Sequence, residues 1–168
     1  MAEPLVRYLY QAWSDLDQAL DGLSAAEATT VYDDGSSVAW TVGHITNQID
    51  SWLNSRFQGL PPHPLMSSDR FRTGGDGTFE DWPTMMASVN DVRALAHAYL
   101  DGLTASNLDL VIPYTGSLAY LRGSGLPLRY AILRIASHHF IHIGEIVTVR
   151  SRMGNPAIDG WTWGLDLL

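Results

Sequence analysis

Three of the six histidines of this chain lie within five positions, in the segment ASHHFIHIGEIVTVR at residues 136–150. On a helix with about 100° per residue, the side chains of His138 and His142 are only about 40° apart, so both imidazoles can reach one point. Glu145 lies about 20° to the other side of His138, whereas His139 is turned away by about 100°. The spacing predicts a pair of metal ligands with a carboxylate beside them. The alternative is a pair of histidines at a helix edge or in hydrogen-bonded core positions.

A third ligand has to come from another helix, and the chain offers His44, His63 and His97. His97 falls on the charged side of its helix and is expected on the surface, and His63 lies between prolines in a loop. His44 falls on a polar stripe along an otherwise apolar helix, together with Asn47, Gln48 and Ser51. Such a stripe is costly to bury unless it meets a ligand, a metal or water. His44 is therefore the strongest of the three candidates, and a polar groove at the open end of a bundle is the alternative.

The chain contains no cysteine, so a metal would be held by histidine, carboxylate or water rather than by thiolate. A zinc-protease helix has a glutamate directly after its first histidine, and His139 stands at that position here. Three neutral imidazoles would leave coordination positions open, as in catalytic rather than structural zinc sites. Imidazole suits zinc, nickel, iron and copper alike, so the residues do not identify the metal. We expect zinc or nickel, with iron or manganese as alternatives.

Apolar residues recur at helical spacing in four segments, which predicts an all-α fold: a four-helix bundle with long crossover loops. Gly22 ends the first helix, and a serine N-cap in DDGSS begins the second. Asp81 can cap the third helix, with Pro83 in its first turn. The expected helices span about residues 3 to 22, 38 to 59, 82 to 103 and 128 to 153.

The connections between these helices are long. The segment LPPHPLMSSDRFRTGGDGTFED contains three prolines and three glycines and is expected to be a loop. Residues 104–126 carry two apolar runs around Thr115 and Gly116, which permit a short hairpin or an extended connection. The tail AIDGWTWGLDLL is too apolar to be left in water, so we expect it to pack on the bundle or on a second subunit, and a homodimer is favoured.

Length and charge limit the kind of protein this can be. A chain of 168 residues favours one domain, spanning residues 1–168. The net charge of −8 and the scattered basic residues argue against a nucleic-acid partner. The N-terminal segment MAEPLVRYLYQAW lacks the apolar core of a signal peptide, and no run approaches the roughly 20 apolar residues of a membrane span. We therefore expect a cytoplasmic protein that has no membrane partner.

Two of the expected helices resemble those of the DinB/YfiT-like superfamily. The second, SVAWTVGHITNQIDSWL, has the lone histidine of that family, and the last, ILRIASHHFIHIGEIVTVRSRMG, has its His-x-x-x-His-x-Gly-Gln/Glu motif. The resemblance implies a DinB-like bundle in which His44, His138 and His142 hold one divalent metal ion. At Arg134, many members have a further histidine.

Members of this superfamily include transferases that use low-molecular-weight thiols, and metal-dependent hydrolases. The resemblance therefore implies a metal-dependent enzyme on a small molecule, either a thiol S-transferase or a hydrolase. Glu145 is the candidate catalytic residue, because it could accept a proton from a bound nucleophile or orient a ligating histidine. Its alternative role is an ion pair with Arg150 or Arg134. Two non-catalytic hypotheses are a protein that binds a metal or small molecule without turnover, and a structural or stress-related bundle with vestigial histidines.

Overall fold

Four long helices, with short elements between them, make up most of residues 3–156, the part of the chain that this computed structural model describes. The apolar tail, on which the expected homodimer rests, lies outside the described residues. No helix among the described residues is both long and apolar enough to cross a membrane. The elements in chain order are α1 (Pro4–Leu20), α2 (Ala25–Thr29), α3 (Val38–Ile49), a π-helix (Asp50–Phe57), a 3₁₀-helix (Asp69–Phe71), α4 (Trp82–Leu100), a second 3₁₀-helix (Ala105–Asp109), β1 (Val111–Ile112), α5 (Ala119–Ser124), β2 (Leu126–Pro127) and α6 (Leu128–Arg152).

Three of the long helices begin where the sequence indicates. The side chain of Ser37 accepts a hydrogen bond from the backbone nitrogen of Trp40 at 3.1 Å, and that of Asp81 accepts one from Thr84 at 3.0 Å. α6 begins directly after Pro127, whose fixed φ suits the start of a helix. The predicted starts of α3, α4 and α6 are confirmed.

The four long helices form a ring around an apolar core. α1 packs on α6, and α3 packs on both α4 and α6. Between α1 and α4, Asp17 pairs with Arg93 at 2.6 Å, and Tyr10 donates a hydrogen bond to Asp101 at 2.6 Å. The predicted all-α bundle is confirmed. Its fully buried side chains include Leu9, Leu16, Ile45, Ile49, Val92, Ala96, Ile132 and Ile135.

The second long helix changes its hydrogen-bonding pattern partway, which the sequence does not predict. α3 continues without a break as the π-helix Asp50–Phe57, in which i→i+5 bonds close each turn. The side chain of Asn54 donates to the carbonyl oxygen of Val92 on α4 at 3.1 Å. The carboxylate of Asp50 accepts from the backbone nitrogen of His63 at 2.9 Å. These tertiary contacts hold the wider turns in place.

The region between α4 and α6 contains two short strands and a short helix between them. β1 and β2 pair in antiparallel fashion, with Val111 opposite Pro127 and Ile112 opposite Leu126. The sequence leaves a short hairpin or an extended connection open around Thr115, and the structure differs from both, because the second apolar run folds as α5 and buries a leucine in the core. The two strands therefore lie at opposite ends of the region.

The connection between α1 and α3 contains a short helix, α2, that is not among the predicted helices. Ser24 and Glu27 form a capping box at the start of α2, with 3.2 Å between the Ser24 hydroxyl and the backbone nitrogen of Glu27. Asp33 and Asp34 then adopt positive φ values of 49° and 56°. The turn predicted in DDGSS is therefore confirmed, and the serine-to-glutamate spacing was an available signal for α2.

Candidate metal centre

Three imidazoles meet where α3 faces α6. His44 comes from α3, and His138 and His142 come from successive turns of α6. The ring centroids of His138 and His142 are 4.6 Å apart, and that of His44 lies 4.9 and 5.1 Å from them. One ring nitrogen from each residue lies within 4.8 Å of the others. The structure thus brings together the three histidines that the sequence singles out.

The Nδ1 atom of each imidazole faces a hydrogen-bond acceptor. Because all three partners accept, each Nδ1 carries the proton and donates it. Each Nε2 is then left with a lone pair, which is the tautomer that ligates a metal through Nε2. The acceptors are the carbonyl oxygen of Phe71 for His44 at 2.7 Å, Oε1 of Gln48 for His138 at 2.9 Å, and Oε2 of Glu145 for His142 at 2.6 Å.

Two of these Nε2 atoms face each other directly. Those of His138 and His142 are 3.0 Å apart. Two lone pairs at this separation repel each other unless a proton or a cation lies between them. Two nitrogen ligands of a tetrahedral metal, with bonds of about 2.1 Å, are about 3.4 Å apart, close to the observed distance. The donor set therefore fits a divalent metal ion.

Burial keeps two of these imidazoles, those of His44 and His138, neutral. Burial, together with the neighbouring His142 and His44, lowers the pKa of His138 to about 3. Burial also lowers the pKa of His44, although its hydrogen bond to the Phe71 carbonyl partly opposes this shift. A neutral ring is the form that binds a metal, so neither residue has to lose a proton at neutral pH before it can ligate.

The long loop after the π-helix closes over His44. Trp40 stacks on this imidazole, with centroids 5.0 Å apart and ring planes 5° from parallel, and its indole Nε1 donates to the carbonyl oxygen of Arg70 at 2.7 Å. Gly43 allows the ring of Phe71 to approach, since a Cβ there would lie 2.5 Å from a ring carbon. Phe71 is fully buried, and its carbonyl is thereby held against Nδ1 of His44.

The family model of the DinB superfamily matches residues 8–146, which include all three histidines of the cluster. The chain belongs to the DinB superfamily. The crystal structure of a conserved protein from Enterococcus faecalis superposes with a TM-score of 0.65 at 16% identity, covering 89% of this chain and 95% of that chain. This likeness shows that the fold is shared. No curated protein matches the chain.

Membership of the DinB superfamily and the three-histidine cluster together fit the binding of a divalent metal. The remaining histidines of the chain lie apart from the cluster. His63 is half-buried in the long loop, and His97 is exposed on α4, as expected. His139 is fully buried, with its Nδ1 2.8 Å from the carbonyl oxygen of Ile135, and takes no part in the cluster.

In this DinB-superfamily chain, Glu145 contacts His142 rather than an arginine. Its side chain is 58% exposed, and its Oε2 lies 2.6 Å from Nδ1 of His142. Among residues 3–156 it forms no ion pair with Arg134 or Arg150. Arg150 instead donates to two carbonyl oxygens at the end of α1. The carboxylate is thus placed to orient a candidate ligand.

A pocket of about 710 Å³ opens beside His44 and His138. The π-helix supplies Ser51, Trp52 and Arg56 to its wall. Because i→i+5 bonding widens each turn, Ser51 and Arg56 come roughly one turn apart and share a side of the helix. The remaining lining residues include Asn47, Gln48, Thr73, Tyr114, Thr115, Ser117 and Leu118.

The pocket also contains four arginines that the sequence analysis does not assign to a site: Arg56, Arg72, Arg122 and Arg134. Arg134 stands one turn before His138 on α6, so its spacing alone places it on the side of the histidines. The other three come from the π-helix, the long loop and α5. No pattern in the sequence connects these segments, and the fold alone brings them together.

Proposed function

We propose that this chain binds one divalent metal ion through the Nε2 atoms of His44, His138 and His142, and uses it as an enzyme on a small molecule. The observation that carries the proposal is the set of three Nδ1 hydrogen bonds, which leaves unprotonated nitrogens around one centre. Zinc or nickel is the expected ion, since imidazole suits both, and iron or manganese is the alternative.

The reaction that we assign is thiol S-transfer, with hydrolysis as the alternative. A divalent cation in this position supplies Lewis acidity, which lowers the pKa of a thiol or of water and polarises a carbonyl group. The chain has no cysteine, so the thiol is a separate low-molecular-weight molecule that enters through the pocket. Among the described residues that line this pocket there is no carboxylate. This favours a thiol, with a pKa of about 8.5, over water, with a pKa of about 15.7, because the thiol needs less help from a general base.

Glu145 is assigned two roles in this proposal. It holds the proton on Nδ1 of His142, which keeps the Nε2 of that ring free to ligate. Its carboxylate does not line the pocket but is more than half exposed, so we also assign it to take up, through solvent, a proton released by the nucleophile. The first role is positional and the second is catalytic, and the variants described in the Discussion separate them.

A second candidate function is capture of a ligand without turnover. The same lack of a carboxylate among the described pocket residues favours it, because most hydrolytic sites place an acid or a base beside the substrate. Both candidates require the metal, so metal content does not separate them. Turnover of an electrophile with an added thiol would separate them, because a binding protein would consume neither.

The proposed assembly is a homodimer. Among the described residues, the large apolar side chains of Tyr8 on α1 and of Leu133 and Ile141 on α6 are exposed, by 43%, 48% and 56%. Burial of such side chains against a second copy would remove them from water. Light scattering should give the mass of two chains, and deletion of residues 159–168 should reduce it to one. A mass near that of one chain, unchanged on concentration, would mean that the chain is a monomer.

Elemental analysis of untagged protein tests the proposal directly. We expect one divalent metal ion per chain in the unaltered protein and no stoichiometric metal in His142→Ala. The matched control is His97→Ala, which removes an exposed histidine outside the cluster and should leave the metal content unchanged. Equal metal content in His142→Ala and the unaltered protein would refute the three-histidine site. Thiol consumption that stops after chelation and returns on addition of metal would identify the enzyme.

A further inference from the structure

The pocket beside the imidazoles has an unusual charge for this protein. The chain has a net charge of −8, with ten arginines and no lysine. Four of these arginines line this pocket, and no aspartate or glutamate is among its described lining residues. In an acidic protein, a wall of this kind concentrates positive potential where a ligand would enter.

Three of these four arginines have no counterion among residues 3–156. Arg56, Arg122 and Arg134 form no ion pair with any residue between 3 and 156, whereas Arg72 pairs with Asp69 at 2.8 Å. Outside the pocket, four of the six arginines pair with a carboxylate: Arg70, Arg93, Arg129 and Arg152. The pocket therefore holds guanidinium groups whose charge the described part of the chain does not balance.

Contacts to neutral groups hold two of these arginines in place. The guanidinium of Arg56 lies over the ring of Tyr114, 5.0 Å from its centroid, and its buried Nε has no acceptor among the described residues. Arg122 donates from Nε to the carbonyl oxygen of Gly116 at 3.0 Å, which ties α5 to the loop before it. Both side chains are thus anchored without being neutralised.

Arg134 links this charge to the histidine cluster. It is half-buried on α6, one turn before His138, and both residues line the pocket. A ligand held by this guanidinium would lie next to the imidazoles. A guanidinium binds carboxylate and phosphate groups through paired hydrogen bonds, which a neutral ligand cannot match in strength.

We propose that the pocket selects a small molecule with at least two negative charges, carried by carboxylate or phosphate groups, which Arg56 and Arg134 bind. A volume of about 710 Å³ suits a ligand of metabolite size. This inference rests on the proposed function in one respect: the bound anion would lie beside the metal centre. The binding of the anion by the arginines requires no metal.

Isothermal titration calorimetry on chelator-treated protein tests this inference, because without metal the anion can be held only by the protein. Succinate is the carboxylate probe, phenyl phosphate is the phosphate probe, and succinamide is the uncharged counterpart of succinate. We expect at least one anion to bind and succinamide not to bind. The two anionic probes show which of the two groups the pocket prefers. Affinity should also fall as salt is added.

Variants locate the binding. Arg56→Gln and Arg134→Gln should each weaken binding of the better anion about tenfold or more, since each loses a charged hydrogen-bond donor. Arg129→Gln is the matched control on α6, because Arg129 is exposed, lies outside the pocket and should leave the affinity unchanged. Arg134→Lys, which keeps the charge but not the paired donors, should give an intermediate value if Arg134→Gln folds poorly.

His142→Ala separates this inference from the metal proposal. We expect His142→Ala to bind the anion as the metal-free unaltered protein does, and to take up no metal when metal is added back. Binding of succinamide as strong as that of succinate would overturn the inference. So would unaltered anion binding in both Arg56→Gln and Arg134→Gln, or no binding of either anion. None of these results would bear on metal content.

Discussion

Gln48 on α3 accepts a hydrogen bond from His138 on α6, with 2.9 Å between Oε1 and Nδ1. This contact joins the two helices that carry the candidate ligands. It also determines which nitrogen of His138 carries the proton, because an amide oxygen can only accept. A side chain that is not itself a ligand therefore prepares the ring for ligation.

Replacement of Gln48 by leucine should weaken metal binding about 10- to 100-fold, because the Nδ1 proton of His138 would lose its acceptor. Gln48→Glu keeps an acceptor at the same distance and should retain most of the affinity. Competition with a chromophoric chelator measures both. Gln18→Leu on α1, away from the cluster, is the control. An unchanged affinity in Gln48→Leu would contradict the role given to this contact.

Glu145→Gln and Glu145→Ala should differ from each other. The glutamine retains an oxygen that accepts the proton of His142, so metal affinity should stay close to that of the unaltered protein, while thiol turnover falls because no carboxylate is left to take a proton. The alanine variant should lose about 10- to 100-fold in metal affinity as well. Full turnover in Glu145→Gln would limit this residue to positioning His142.

Gly43→Ala should destabilise the protein although alanine normally favours a helix. The new Cβ would lie 2.5 Å from the ring of Phe71 and 2.8 Å from the Cε of Met85. We expect a loss of about 1 to 3 kcal/mol in the free energy of unfolding, because a well-packed site has to shift. Metal affinity should fall too, since the carbonyl of Phe71 holds His44.

The control for this variant is Gly144→Ala on α6, where a Cβ would meet nothing within 4 Å. It should raise the free energy of unfolding by about 0.5 to 1 kcal/mol, through helix propensity alone. Denaturant unfolding measures both variants. If the two substitutions had the same effect, close contact at Gly43 would not be the cause.

Acid should destabilise the metal-free protein through His139. Burial lowers the pKa of this residue from 6.5 to about 3, and the nearby Arg93 also lowers it. The unfolded chain therefore takes up the proton first as pH falls. The free energy of unfolding is highest above about pH 6.5, where His139 is neutral in both states. It falls by about 1.4 kcal/mol per pH unit as the pH is lowered towards 3.

Denaturant unfolding between about pH 6 and pH 5 checks this, with His139→Leu for comparison. The leucine variant should lose less free energy of unfolding over this interval. The difference is the part of the loss that comes from protonation of His139. Parallel pH profiles for the variant and the unaltered chain would show that His139 titrates equally in both states.

The sequence predicts the candidate ligands because their placement depends on local geometry. One helical turn separates His138 from His142, and a polar stripe on an apolar helix marks His44. The acceptors that orient these rings are harder to predict. The partner of His44 is the backbone carbonyl of Phe71, 27 positions away. Every residue has a backbone carbonyl, so the residue type does not indicate this contact.

The π-helical hydrogen bonding of residues 50–57 could also not be predicted from the sequence. Apolar spacing identifies a continuous helix through residues 50–57, but the change to i→i+5 bonding depends on contacts such as that of Asn54 with Val92 on another helix. Arg56 enters the pocket wall from this element. The grouping of the arginines could therefore not be predicted without the fold.

The carbonyl of Phe71 connects the long loop to the candidate metal centre, and this has a thermodynamic consequence. Any opening of the loop that withdraws this carbonyl frees the ring of His44, so an ion that binds the closed form must oppose the opening. By linkage, the open population should fall by a factor of 1 + [M]/Kd, where [M] is the free metal concentration. Amide hydrogen exchange in residues 58–81 should slow by the same factor as metal is added, which makes the loop a reporter of occupancy at a site 27 positions away along the chain.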